Sequence, residues 1–143
     1  MKNKGFTLIE LLAVIVILAI IALIATPTIL GVVETSRKGA AESSLLGFID
    51  AVEKQIMINE LDESKPNVED GVYTLTDNGI RITYEFTYMD VKVDVKGQRP
   101  DKSYGQIEIK NGQVQNTTLK VDKYYVTYDS STGKASASLT QPE

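Results

Sequence analysis

The chain has 143 residues, no cysteine, no histidine and a net charge of −4. Zero cysteine excludes disulfides, a thiol nucleophile, a thiolate metal site and a lipidated cysteine, and zero histidine removes the commonest general base and metal ligand. The length suits one modest domain, and the acidic balance supplies no broad basic field for nucleic acid.

Met1-Lys2-Asn3-Lys4-Gly5 is a short basic opening, and residues 6–25 are apolar with a single charge, Glu10. An apolar stretch of about 20 residues spans ~30 Å of hydrocarbon. Lys2 and Lys4 hold the start of the chain on the cytoplasmic side, because basic residues resist translocation. A carboxylate in lipid is costly, and a plain anchor has no need of one. Either Glu10 snorkels toward the head groups or it awaits a positive partner. Gly5 is a small backbone that fits a peptidase site. A cut after Gly5 creates an α-amino group on Phe6, four residues before Glu10 and on the same helix face. That ammonium can neutralise Glu10 of its own chain or of a neighbour, and two charges that are costly alone become tolerable as a pair. A cut after a secretory signal, near Ala25-Thr26-Pro27, would discard Glu10.

Lys4-Gly5-Phe6-Thr7-Leu8-Ile9-Glu10, followed by the apolar run from Leu11 to Ile21, resembles the class III signal of type IV pilins and pseudopilins. The close resemblance covers about the first 30 residues. It implies that a prepilin peptidase cuts between Gly5 and Phe6 and methylates the Phe6 amine. It implies that Glu10 then pairs with that amine on an adjacent subunit. It also implies a helical filament of identical subunits, with an assembly ATPase and a platform membrane protein as further partners. The precursor would sit in the cytoplasmic membrane with its N-terminus inside, and the assembled filament would lie outside the cell.

Past the apolar run, Pro27 removes one helical hydrogen bond and Gly31 weakens the same stretch. This is either a harmless kink or a point where the helix bends or melts; pilins resemble the latter. Leu45, Phe48, Ile49, Val52 and Ile56 form one apolar stripe within residues 34–60, so an amphipathic helix is expected there. Glu42, Asp50, Glu53, Lys54 and Glu60 occupy much of the remainder, with Glu34–Lys38 and Asp50–Lys54 as i,i+4 pairs. Gly39 and Gly47 weaken its continuity. If nearly unbroken from Phe6 to Glu60, the helix reaches ~80 Å at 1.5 Å per residue. A polar loop with Pro66 stops it.

After the loop the period becomes two. Ile80, Ile82, Tyr84, Phe86 and Tyr88 point one way in one expected strand, and residues 91–96 alternate again. Asn111-Gly112 between Ile107–Lys110 and Gln113-Val114 predicts a hairpin with a type I′ turn. Leu119 and Val121 have odd parity and Tyr124, Val126 and Tyr128 even, so a turn or bulge falls near Asp122-Lys123. Residues 129–133 read as a loop and residues 134–139 as a weak last strand. The sum is an α+β fold: a long N-terminal helix on a small antiparallel sheet domain. The expected divisions are a leader at 1–5, an apolar helix at 6–27, an amphipathic helix at 28–61 and a globular β domain at 62–143.

The outer domain carries little chemistry. Asp129-Ser130-Ser131-Thr132-Gly133 has one carboxylate where a calcium site needs six to eight oxygens, so a turn is expected. Asp62, Glu63, Glu69 and Asp70 read as a solvated surface. Tyr84, Tyr88, Tyr124 and Tyr128 sit at core parity rather than on a nucleic-acid stacking platform. Asn116-Thr117-Thr118 fits an N-glycosylation pattern and equally a short loop. No nucleophile–base pair and no phosphate-cradling loop is present, so no enzyme, cofactor or metal is expected. Three functions remain open: a type IV pilus subunit serving adhesion, twitching motility or DNA uptake; a pseudopilin of a secretion or competence apparatus; and a membrane-tethered domain that never polymerises. The major secretion pseudopilins often carry a calcium-binding C-terminal loop that has no good counterpart here, which tilts the reading modestly toward a pilus.

Overall fold

The computed structural model describes residues 5–84, 87–95 and 97–142, with residues 82–89 as main chain only. A single helix, α1 (Leu8–Leu61), takes up 54 residues, and the chain divides into two compact units, Met1–Arg37 and Lys38–Glu143.

In the first unit the helix is apolar on every side. Ile9, Leu12, Ile15, Leu18 and Ile21 are each more than half exposed. By length and composition this helix can cross a membrane. It continues through Pro27 and Gly31. Proline has no N–H, so the Leu23 carbonyl loses its helical donor. On either side, Thr26 Oγ1 donates to the Ala22 carbonyl at 2.7 Å and Thr28 Oγ1 to that of Ile24 at 3.5 Å. Thr35 Oγ1 donates to the Gly31 carbonyl at 3.0 Å. Such back-bonding tends to bend a helix slightly.

In the second unit α1 buries the expected stripe, Leu45, Phe48, Ile49, Val52 and Ile56, together with Ala41 and Asn59. The buried amide of Asn59 is satisfied at both ends: Oδ1 accepts from Gln55 Nε2 at 2.8 Å and Nδ2 donates to the Pro66 carbonyl at 2.9 Å. That bond ties the loop after the helix to its last turns.

Strands β1 (Gly71–Leu75), β2 (Gly79–Tyr84), β3 (Thr87–Lys92), β4 (Gln106–Lys110) and β5 (Gln113–Val114) form an antiparallel sheet in the order β3-β2-β1-β4-β5. Strands β6 (Thr117–Val121), β7 (Tyr124–Asp129) and β8 (Lys134–Ser138) form a second, three-stranded meander. Ile80, Val91, Val93, Ile107, Ile109, Val114, Leu119, Val121, Tyr124 and Val126 join the helix stripe in one core, with Tyr128 packed against it. The α+β architecture is the expected one.

Three details differ. Strand β1, central in its sheet, has no counterpart in the expected elements. The run expected as one strand from Ile80 to Tyr88 is two, β2 and β3, paired Ile80↔Val91 and Arg81↔Asp90. Alternation that continues in the sequence from Ile80 to Tyr88 hides the reversal. The inward assignments of Ile82, Tyr84, Phe86 and Tyr88 lie outside the described residues. Finally, Asp50 and Lys54 do not form an ion pair; the exposed pairs include Lys65–Asp62, Arg81–Asp90 and Lys102–Asp77.

The hairpins follow their turn chemistry. Asn111 and Gly112 both take positive φ, 53° and 73°, as a type I′ turn requires. Asp70 is more than solvated surface, because its Oδ1 accepts the Asn111 N–H at 2.6 Å. The parity shift after Val121 is a turn: Val121 pairs with Tyr124, and Asp122 takes φ 57°. Gly105 has φ 85°, and a Cβ there would lie 2.5 Å from the Thr118 carbonyl oxygen. Gly105→Ala is therefore expected to lower stability by about 1–3 kcal/mol, read as a reduced urea midpoint at unchanged slope.

Two helix carboxylates reach the sheets. Glu53 Oε1 accepts the Val114 N–H at 2.9 Å, and Glu42 Oε1 accepts the Ala137 N–H at 2.8 Å. Both were expected among the polar remainder of the helix; both instead close the edge of an outermost strand.

Candidate functional site

The helix begins at Leu8, which makes Thr7 its N-cap and Glu10 the third helical residue. Thr7 N–H donates to Glu10 Oε2 at 2.8 Å, and Thr7 Oγ1 donates to the same oxygen at 2.7 Å. Glu10 N–H in turn donates to Thr7 Oγ1 at 3.3 Å. This is a reciprocal capping box: each residue satisfies an amide that the helix start leaves without a partner. Both bonds to the carboxylate end on Oε2, so Oε1 keeps its lone pairs for another donor.

Phe6 lies two residues before the first helical position and is 81% exposed. The shared helix face expected for Phe6 and Glu10 is therefore absent in the uncut chain. Gly5 is open, with nothing within 4 Å of a Cβ built on it. Lys2 and Lys4 lie outside the described residues. Pro27 and Gly31 sit within the same exposed apolar segment, inside unbroken helix.

Thr7 was not singled out from the sequence. The signal was present: Thr7-Leu8-Ile9-Glu10 has the Thr-x-x-Glu spacing of a capping box before an apolar run. The apolar pattern drew attention to the charge rather than to the residue that holds it.

In the outer unit Asp129 sits in a turn. Asp129 Oδ1 accepts the Ser131 N–H at 2.9 Å and the Ser131 hydroxyl at 2.6 Å. These bonds, the hydroxyl's first, hold the Asp129 carboxyl below the usual carboxylate range. The Asp129 carbonyl accepts the Gly133 N–H at 2.8 Å, closing the β7–β8 loop. Asp62–Ser64 and Asp101–Ser103 repeat the arrangement. No metal-holding group of acidic residues occurs among the described residues. Asn116 is exposed, and its Oδ1 accepts both the N–H and the hydroxyl of Ser130 at 2.8 Å. The Tyr124 ring is buried, as its parity predicts.

Residues 1–26 match the family model described as the prokaryotic N-terminal methylation motif. The chain carries the N-terminal motif of the type IV pilins and pseudopilins. The chain is similar to type II secretion system core protein G of Dickeya chrysanthemi, 36% identical over 75 residues, which are 52% of this chain and 46% of that protein. It therefore spans about half the length of that relative. No solved structure matches it. The matched motif heads an apolar helix with a capped carboxylate at its start.

Proposed function

We propose that this chain is the precursor of a filament subunit, cut after Gly5, N-methylated at Phe6 and polymerised through its N-terminal helix. The observation that carries the reading is the methylation motif set on an apolar helix exposed on all sides, with Glu10 at its first turn. The apolar helix holds the precursor in the cytoplasmic membrane, and in the filament the same surface packs against other copies. Glu10 Oε1, left open by the capping box, faces the new α-ammonium of a neighbouring subunit. A prepilin peptidase, an assembly ATPase and a platform membrane protein are the partners of this scheme.

Two kinds of filament fit. The turn chemistry that occupies Asp129 favours an extracellular type IV pilus, in which the subunit serves adhesion, twitching motility or DNA uptake. The likeness to core protein G favours a pseudopilus of a secretion apparatus. Electron microscopy of sheared surface material, with peptide identification, separates them. Long filaments containing this chain support the pilus. Their absence, with the cut chain kept at the envelope, supports the pseudopilus. Intact mass tests the scheme itself, since an N-terminus at Met1 in assembled material would end it.

A further inference from the structure

The chain holds two Asn-Gly dipeptides, Asn78-Gly79 and Asn111-Gly112. Glycine has no side chain to shield its main-chain nitrogen, so that nitrogen can attack the side-chain amide carbon of the preceding asparagine. A ring C–N bond forms, the bond to the amide nitrogen breaks, and ammonia leaves with the proton of the attacking N–H. Water then opens the cyclic imide at either carbonyl, giving aspartate or isoaspartate. The net change is loss of ammonia and gain of water.

The two sites share a sequence and differ in what holds them. Asn78 and Asn111 are both exposed, so access of water does not separate them. Gly79 is buried, and its N–H donates to Thr76 Oγ1 at 3.1 Å. Its carbonyl accepts the Thr76 N–H at 2.9 Å, and the Asn78 carbonyl accepts the Val93 N–H at 2.8 Å. A Cβ on Gly79 would lie 2.0 Å from the Val91 carbonyl oxygen, so β3 presses directly on this turn. Gly112 is held less. Neither its N–H nor the Asn111 side chain makes a hydrogen bond among the described residues. A Cβ there would meet Glu60 Oε1 no nearer than 3.9 Å. The tip is closed by the pair Lys110↔Gln113, on an outermost strand of two residues, and by the Asn111 N–H to Asp70. Ring closure requires Asn111 to rotate out of its type I′ conformation, so the tip must open first. Opening costs least where few exposed main-chain bonds have to part.

We propose that Asn111 is a site of spontaneous deamidation, and that its surroundings protect Asn78 from the same reaction. The product matters to the fold. Isoaspartate carries the main chain through the side-chain carbon, which adds an atom to a two-residue turn and misaligns Lys110 with Gln113. Aspartate brings a second carboxylate near Asp70, whose Oδ1 accepts the Asn111 N–H at 2.6 Å. Either change loosens β5, the strand that Glu53 fastens to the helix.

The test incubates the full chain in detergent micelles at mildly alkaline pH, with a second portion unfolded in urea, and follows both sites by peptide mass spectrometry. Each conversion adds about one dalton to its peptide. In the folded chain Asn111 is expected to convert at least about tenfold faster than Asn78, a difference of ~1.4 kcal/mol in barrier. In urea the two rates are expected to converge, since only the folded surroundings distinguish the sites. Asn78 keeping pace with Asn111 in the folded chain, an Asn111 that stays intact there while it converts in urea, or a gap that persists in urea would each overturn the assignment.

Discussion

Glu10→Val is expected to leave the chain in the membrane and to cut filament yield at least tenfold. Removing the carboxylate removes a costly group from lipid, so insertion is retained or improved. In the proposed filament the loss falls elsewhere. The α-ammonium of Phe6 is left in an apolar surrounding without a counter-charge, and a buried pair broken on one side is worse than no pair. The capping box complicates this result, because Glu10 also accepts two bonds from Thr7. Glu10→Gln separates the two roles. Its amide oxygen still accepts from Thr7, while its charge is gone. Filament yield, measured by shearing and immunoblot with membrane content as control, is expected to fall for Gln as it does for Val. Normal yield from Glu10→Gln would mean that capping, not charge, is what assembly needs.

The second large effect is expected at Gly5. Gly5→Lys should leave the leader on the chain and abolish filaments, with the precursor kept in the membrane. A Cβ at Gly5 meets nothing within 4 Å, so the chain itself tolerates the longer side chain. The loss would belong to the peptidase, whose site must accept the residue before the cut. Intact-mass measurement of the membrane fraction decides it. A product beginning at Phe6 from this variant would place the cut under different rules from those proposed.

Much of the second unit was legible in the sequence because its signals are local. The stripe from Leu45 to Ile56 needs only helical spacing, and Asn111-Gly112 needs only the positive φ that both residues tolerate. The reversal between β2 and β3 was not legible, since neighbouring strands can keep the appearance of one alternation across a short connection. Strand β1 was missed for another reason. Its central place depends on β2 and β4, which come later in the chain. Glu42 and Glu53 look like solvated helix residues until strands 95 and 61 positions away bring their amides into reach. Charge and burial on a helix can be read from spacing; a long-range hydrogen bond cannot.

Those two carboxylates bear on how the second unit answers to load. Apolar contact between a helix and a sheet resists separation but permits sliding, because it has no preferred direction. Hydrogen bonds are directional and weaken steeply when misaligned. With Glu53 fastened to one sheet and Glu42 to the other, tension drawn along the helix reaches both sheets through oriented bonds. In a chain without disulfides, these two clasps take the part of rivets against shear.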